Sequence, residues 1–238
     1  MPDKPHKARH LVLPPNTGGR DFLLGDLHGC VGALEDAMIR VGFDHHRDRV
    51  IAVGDLIDRG PRSHDALKLV REPWFFSTLG NHEIMMLEAG DRRTRMMWQQ
   101  NGGEWFYTLP HAEQAVCIAI AEALPYAITL EREEGGSVGI CHAEWPGDNW
   151  DEVEDMLEVP WIRHQMLWGR TVLLKHKTTE DPGAALTVHG HTPLKAATRL
   201  GSALFIDTGC VHGGQLTFIE VSAALRHPQL GRNIVQLY

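Results

Sequence analysis

The stretch Val50-Ile51-Ala52-Val53-Gly54-Asp55-Leu56-Ile57-Asp58-Arg59-Gly60 runs four apolar residues straight into two carboxylates and a guanidinium. A short apolar run bounded by glycine reads as a buried strand. Taken alone, the charge that follows reads as a helix N-cap with a local Asp–Arg pair or as groups that serve a ligand, since strand C-termini of an open α/β sheet face a crevice. Working outward, Phe22-Leu23-Leu24 reads as the preceding strand, broken by Gly25-Asp26, and Val31, Leu34, Met38 and Val41 recur at helical spacing. A helix over 63–70, a strand over 74–79 and a helix over 83–88 continue a β-α-β-α-β rhythm, which predicts an α/β fold.

Beyond it, residues 93–124 read as helical with a break at Asn101-Gly102-Gly103. After Pro125 the pattern changes to short strands, expected at 126–130, 138–141, 186–188, 204–206 and 216–221. Residues 1–19 hold four prolines and are expected to form an arm. Residues 20–238 are then one domain, two packed sheets flanked by helices.

Composition narrows the function. A formal charge of −8 excludes a general grip on nucleic acid, which needs clustered Lys and Arg. Cys30, Cys117, Cys141 and Cys210 form no CxxC pair, so neither a zinc knuckle nor a disulfide framework is indicated and a reducing cytoplasm is expected. No apolar run has the length of a membrane span, so no membrane partner is expected. Fifteen histidines stand out and make a metal site the first thing to test.

The strand ends share one chemistry. Gly25-Asp26-Leu27-His28-Gly29, Gly54-Asp55, Gly80-Asn81-His82-Glu83, Cys141-His142 and Gly190-His191 each follow an apolar run. Asp, Asn and His supply oxygen and imidazole donors without thiolate, which suits manganese, iron, zinc or magnesium. A carboxylate shared between two ions balances charge, and Asp55 is the natural bridge. Such a two-metal site prepares hydroxide at neutral pH and holds it for in-line displacement.

The set GDLHG, GDLIDRG, LGNHE, CHAEWPG and VHGHTP closely resembles the phosphoprotein phosphatase family of metallophosphoesterases, and most nearly the lambda-type serine/threonine phosphatases of bacteria and phages. Asn101-Gly102-Gly103 with Trp105-Phe106, Leu167-Trp168-Gly169-Arg170 and Ile206-Asp207-Thr208-Gly209 extend the match from about residue 21 to 221. The resemblance implies a calcineurin-like, four-layer α-β-β-α sandwich with a dinuclear metal site at strand C-termini. One ion would be held by Asp26, His28 and Asp55, the other by Asp55, Asn81, His142 and His191, with manganese the usual ion. Asp58 would orient His82 as proton donor to the leaving seryl or threonyl oxygen, and Arg59 and Arg170 would clamp the phosphoryl group. The implied substrate is a phosphorylated protein or peptide. The alternative is symmetrical cleavage of diadenosine tetraphosphate, or broad hydrolysis of small phosphate esters.

Other residues read more plainly. His189 is expected to be structural, His45 and His46 solvated, Glu83 an anchor of its helix, and Met96-Met97-Trp98 part of the core. Cys30 and Cys141 adjoin ligands, but buried strand cysteines are usually inert.

Overall fold

The computed structural model describes residues 10–226. Its strands are β1 (His10–Leu13), β2 (Asp21–Leu24), β3 (Arg49–Ala52), β4 (Phe75–Ser77), β5 (Ala127–Glu131), β6 (Ser137–Cys141), β7 (Leu186–His189), β8 (Thr198–Leu200), β9 (Ala203–Phe205) and β10 (Phe218–Glu220). They form a four-stranded sheet in the order β10-β2-β3-β4 and a six-stranded sheet in the order β1-β5-β6-β7-β9-β8. β2, β3 and β4 run parallel, and β10 closes their edge antiparallel.

Alternation along β2 and β3 explains why two sheets stack. Leu23 and Ile51 point one way, into an apolar layer shared with Ile128, Leu130, Val138, Ile140, Leu186, Val188 and Leu204 of the other sheet. Phe22, Leu24, Val50 and Ala52 point the other way, onto Val31, Leu34 and Met38 of helix α1 (Val31–Val41) and Leu67 of α2 (Ser63–Lys68). Successive strand residues face opposite sides, so each strand buries both faces. Helix α3 (Asn81–Leu87), α4 (Arg92–Gln100), a 3-10 turn over Gly103–Thr108 and α5 (His111–Ala123) follow β4. On the far side α6 (Val153–Met156) and α7 (Pro160–Trp168) cover the six-stranded sheet through Val153, Ile162 and Met166, and α8 (Thr171–Leu174) and α9 (Val221–Arg226) complete the helices. Helices thus flank two packed sheets, the expected α/β class.

Three local expectations change. The arm over 1–19 contains β1, which pairs in parallel with β5 from His10↔Ala127 to Leu13↔Leu130 and forms an edge of the larger sheet. Residues 1–9 lie outside the described residues. Four consecutive residues lend their backbone to a free sheet edge, and Pro14 and Pro15 fall just after it rather than within it. The helix after β4 starts at Asn81, two residues before the expected start, because Glu83 caps it from within. Trp98 is fully buried, but Met96 and Met97 are 50% and 42% exposed, since α4 packs along one face only.

Candidate active site

The first two strand-end loops are laced together by their backbones. The N–H groups of Leu27 and His28 both donate to the Asp55 carbonyl, at 3.1 and 2.9 Å, and Gly29 N–H donates to the Leu56 carbonyl at 2.8 Å. Glu83 binds the second loop to the third. Its carboxylate accepts from the N–H groups of Asp55 (3.1 Å), Leu56 (2.9 Å), Ile57 (3.3 Å) and Gly80 (2.9 Å). Burial and the nearby Asp55 charge push the Glu83 carboxyl up to about 7, against the pull of His142, His82 and the Gly80 N–H. Glu83 is therefore the expected anchor, and it secures two loops besides its own helix.

These bonds hold an unusual backbone. Six described residues other than glycine have φ in the left-handed region: His28, Asp55, Asp58, Arg59, His176 and His191. Five of them are residues singled out from the sequence for the site. The left-handed region costs an L-residue roughly 1–2 kcal/mol, and such strain gathers where a side chain must point in one direction.

Around Asp55 the ligand atoms of two groups approach within 4.8 Å of one another: His28, Asp55 and His82, and Asp55, His142 and His191. All five residues are buried. Asn81 joins the second group, its Oδ1 lying 2.8 Å from both His142 Nε2 and His191 Nδ1. Asp26 is buried on that side, and both its carboxylate oxygens accept from the His191 N–H at 3.1 Å. Gly190 makes this approach possible, because a Cβ there would lie 1.9 Å from Asp26 Oδ1. Of the expected ligands, His28 and Asp55 meet in one group and Asp55, His142 and His191 in the other with Asn81 against them; Asp26 enters neither group, its carboxylate turned toward the His191 N–H, and His82 stands beside His28 and Asp55.

The charges show what the cluster lacks. Burial drives His28 down to about 3, and burial with the His142 charge does the same to His191, so both present neutral rings. Burial would also depress His142, but the Asp55 carboxylate 3.4 Å away outweighs it and holds the ring at about 10. Both His142 nitrogens face acceptors, the Val53 carbonyl at 2.9 Å and Asn81 Oδ1 at 2.8 Å, as an imidazolium requires. Asp55 stays well below the usual carboxylate range despite burial, chiefly through His142 and His82. A protonated histidine here does what a cation would do better. His191 Nε2 is buried without a hydrogen-bond partner, a lone pair or N–H that faces nothing in the protein. An orphaned imidazole nitrogen among carboxylate and amide oxygens fits a divalent ion.

Asp58 and His82 form a separate pair. His82 Nδ1 lies 2.6 Å from Asp58 Oδ2, and Asp58 is fully buried. Two indoles complete its shell: Trp98 Nε1 donates to Oδ2 and Trp105 Nε1 to Oδ1, each at 2.7 Å. The sequence reading missed both partners; Trp98 looked like core and Trp105 like a motif match. Arg59 and Arg170 stand exposed at the rim, with Arg59 Nη1 2.6 Å from His28 Nε2. Arg170 is near enough to contribute to the low pKa of His191.

The remaining candidates fall outside. His189 is buried, its ring 3.3 Å from the Cys141 carbonyl and 3.0 Å from Thr187 Oγ1, a structural place in β7. His45 and His46 are exposed. Burial pushes the Cys141 thiol well up, whereas a hydrogen bond from Cys210 brings the half-buried Cys30 down to about 7.

Comparison with known proteins agrees with this geometry. Residues 22–203 match the calcineurin-like phosphoesterase family. The chain is 37% identical over 205 residues to serine/threonine-protein phosphatase 1 of Salmonella typhimurium, covering 84% of this chain and 91% of that one. It is 25% identical over 259 residues to a symmetrical bis(5'-nucleosyl)-tetraphosphatase of Methylococcus capsulatus, covering 86% and 92%. A serine/threonine phosphatase structure from Saccharomyces cerevisiae superposes with a TM-score of 0.57 at 15% identity, over 83% of this chain and 70% of that one, and so shares the fold. Two stacked sheets, strand ends that gather Asp, Asn and His around Asp55, and the family match lead to one conclusion: the chain belongs to the calcineurin-like phosphoesterases.

Proposed function

We propose that this protein is a metal-dependent phosphomonoesterase that removes phosphate from phosphoserine and phosphothreonine in proteins or peptides. Asp26, His28 and Asp55 would hold one divalent ion, and Asp55, Asn81, His142 and His191 the other, with manganese the favoured metal. Bound there, the ions supply an activated water and positive charge for the phosphoryl oxygens.

The chain's own residues supply the rest. Alkoxide is a poor leaving group, so its departure needs a proton. His82 Nδ1 is engaged by Asp58 at 2.6 Å, which leaves Nε2 as the atom that delivers a proton to the serine or threonine oxygen. Arg59 and Arg170, exposed at the rim, offer planar guanidinium groups to the phosphoryl oxygens and the charge that spreads over them. The reading rests above all on the buried Asp58–His82 pair, since a proton donor matters most for an unactivated alkyl ester. Four free cysteines support a cytoplasmic location, and no helix among the described residues is long and apolar enough to cross a membrane.

The distant tetraphosphatase relative supports a second reading, cleavage of a dinucleoside polyphosphate. Purified protein reconstituted with manganese should hydrolyse phosphoserine and phosphothreonine peptides with higher kcat/KM than diadenosine tetraphosphate. Faster cleavage of the dinucleotide would replace the proposal with the second reading.

A further inference from the structure

Asp58 is surrounded in a way that the proton-transfer role alone does not require. It has no exposed surface, and its only ion-pair partner among the described residues is His82. Its backbone N–H donates to Ser63 Oγ at 2.9 Å, and the Trp98 and Trp105 indoles take one carboxylate oxygen each. A buried carboxylate needs its lone pairs satisfied. A lysine or arginine would satisfy them and also cancel the negative charge. Indole is a donor only and carries no charge, so it fills the lone pairs and leaves the charge to the imidazole. Donors on both oxygens also fix the carboxylate plane, and with it the direction in which His82 is held.

Both indoles belong to one segment, α4 and the 3-10 turn after it. That segment also packs on the residue next to Asp58. Gly102 has φ 103°, and a Cβ there would lie 2.5 Å from the Arg59 backbone nitrogen. Gly103 lies flat on the Trp98 ring, where a Cβ would come within 2.3 Å of Cε2. The segment is therefore a brace against Asp58 and Arg59 together.

We infer that Trp98 and Trp105 are positioning residues for the proton donor, aiming His82 through Asp58 by way of their indole N–H groups. The kinetic consequence rests on the phosphomonoesterase reading; the hydrogen bonds themselves do not. If the indoles were only core, their removal would lower stability or scale all activities alike. If they position the donor, the loss depends on how much the leaving group needs a proton.

Trp105→Phe keeps a ring at a half-buried position and removes only the donor, so the fold should survive. With manganese-loaded protein, kcat on a phosphoserine peptide should fall by about 10-fold or more, in the range seen when partners of functional residues are removed. Against p-nitrophenyl phosphate, whose leaving group needs little protonation, kcat should fall by no more than about 2-fold. KM should hold for both. Added to Asp58→Asn, Trp105→Phe should cost nothing further on the peptide, because the two act in series. A second measurement needs no turnover. In proton NMR, the indole N–H resonances of Trp98 and Trp105, two of seven, should lie downfield and exchange slowly, and both should move in Asp58→Ala, whereas that of Trp150, bonded to Thr129 Oγ1, should not. Trp98→Phe should remove one of them. Equal losses on both esters, a loss carried by KM, or indole resonances indifferent to Asp58→Ala would each overturn the positioning role. If wild-type protein hydrolysed neither ester, the phosphomonoesterase reading would fall and the positioning role with it; an active wild type with uniform losses overturns the positioning role alone.

Discussion

The four-stranded sheet ends its parallel strands in runs of chemical groups, while the six-stranded sheet contributes single histidines. β2 leads to Asp26 and His28, β3 to Asp55, Asp58 and Arg59, and β4 to Asn81 and His82. β6 leads to His142 and β7 to His191. The difference extends to how each set is held. The first set is tied internally, by Glu83 and by the backbone bonds to Asp55 and Leu56. The second docks on the first: both histidines meet Asn81 Oδ1, His142 also meets the Val53 carbonyl, and the His191 N–H meets Asp26. One sheet thus carries the proposed proton donor and most of the charge, and the other closes the cage around it.

Changes on the two sheets should therefore fail differently. His82→Asn should cut kcat on phosphopeptides by about 10²–10⁴, the span of general acid catalysis, with a smaller loss on activated aryl phosphates. Metal content measured by atomic emission should be unchanged. A loss of bound metal would make His82 a ligand, as its place beside His28 and Asp55 allows, and would break the comparison.

His191→Ala, on the other sheet, should weaken one ion and spare the other. Calorimetric titration should show a drop exceeding the roughly 10–100-fold known for partners one shell further out. Equal weakening of both ions would mean that the sheets do not hold separable halves.

Gly102→Ala sharpens the view of the first sheet as a braced unit. A left-handed φ of 103° and a Cβ 2.5 Å from the Arg59 nitrogen both oppose it. It should destabilise the fold by about 1–3 kcal/mol in urea titration and raise KM through Arg59. An unchanged KM would detach Arg59 from the brace.

The effect confined to acid pH belongs to His189, within the second sheet. Burial holds its ring down to about 3, against an ordinary 6.5. A base depressed in the folded state contributes stability that is present above its unfolded pKa and is lost as pH falls through the folded value. Metal-free protein should therefore lose stability between about pH 6.5 and 3, and His189→Gln should flatten part of that loss in thermal melts. An identical acid slope in the variant would remove His189 from the account.

The same contrast explains what the amino-acid sequence disclosed. The loops of the first sheet are contiguous, so GDLHG, GDLIDRG and GNHE display the proposed ligands, bridge and proton donor within a few residues each. His142 and His191 were recognisable because each follows an apolar run and, for His191, a glycine that admits Asp26. Trp98 was illegible as a partner of Asp58, because a buried indole has the same helical spacing whether or not its N–H is used. Trp105 lies 47 residues from Asp58, a separation that no local pattern encodes. β1 was hidden for a related reason: it is short and proline-flanked, and its partner β5 lies more than a hundred residues away.

Strand pairing also sets a timetable for the growing chain. β2, β3 and β4 are complete once residue 77 has been made, with Asp26, Asp55 and Asp58 already in place. β1 must wait for β5, and β2 keeps an open edge until Phe218 arrives to pair with Leu24. Contacts so distant in sequence form late and slow folding. During synthesis the nascent chain therefore carries its acidic loops well before the histidines that complete them. A chain stopped just short of β10 would possess every proposed ligand and still expose the backbone of β2, an adhesive edge for a neighbour's strand.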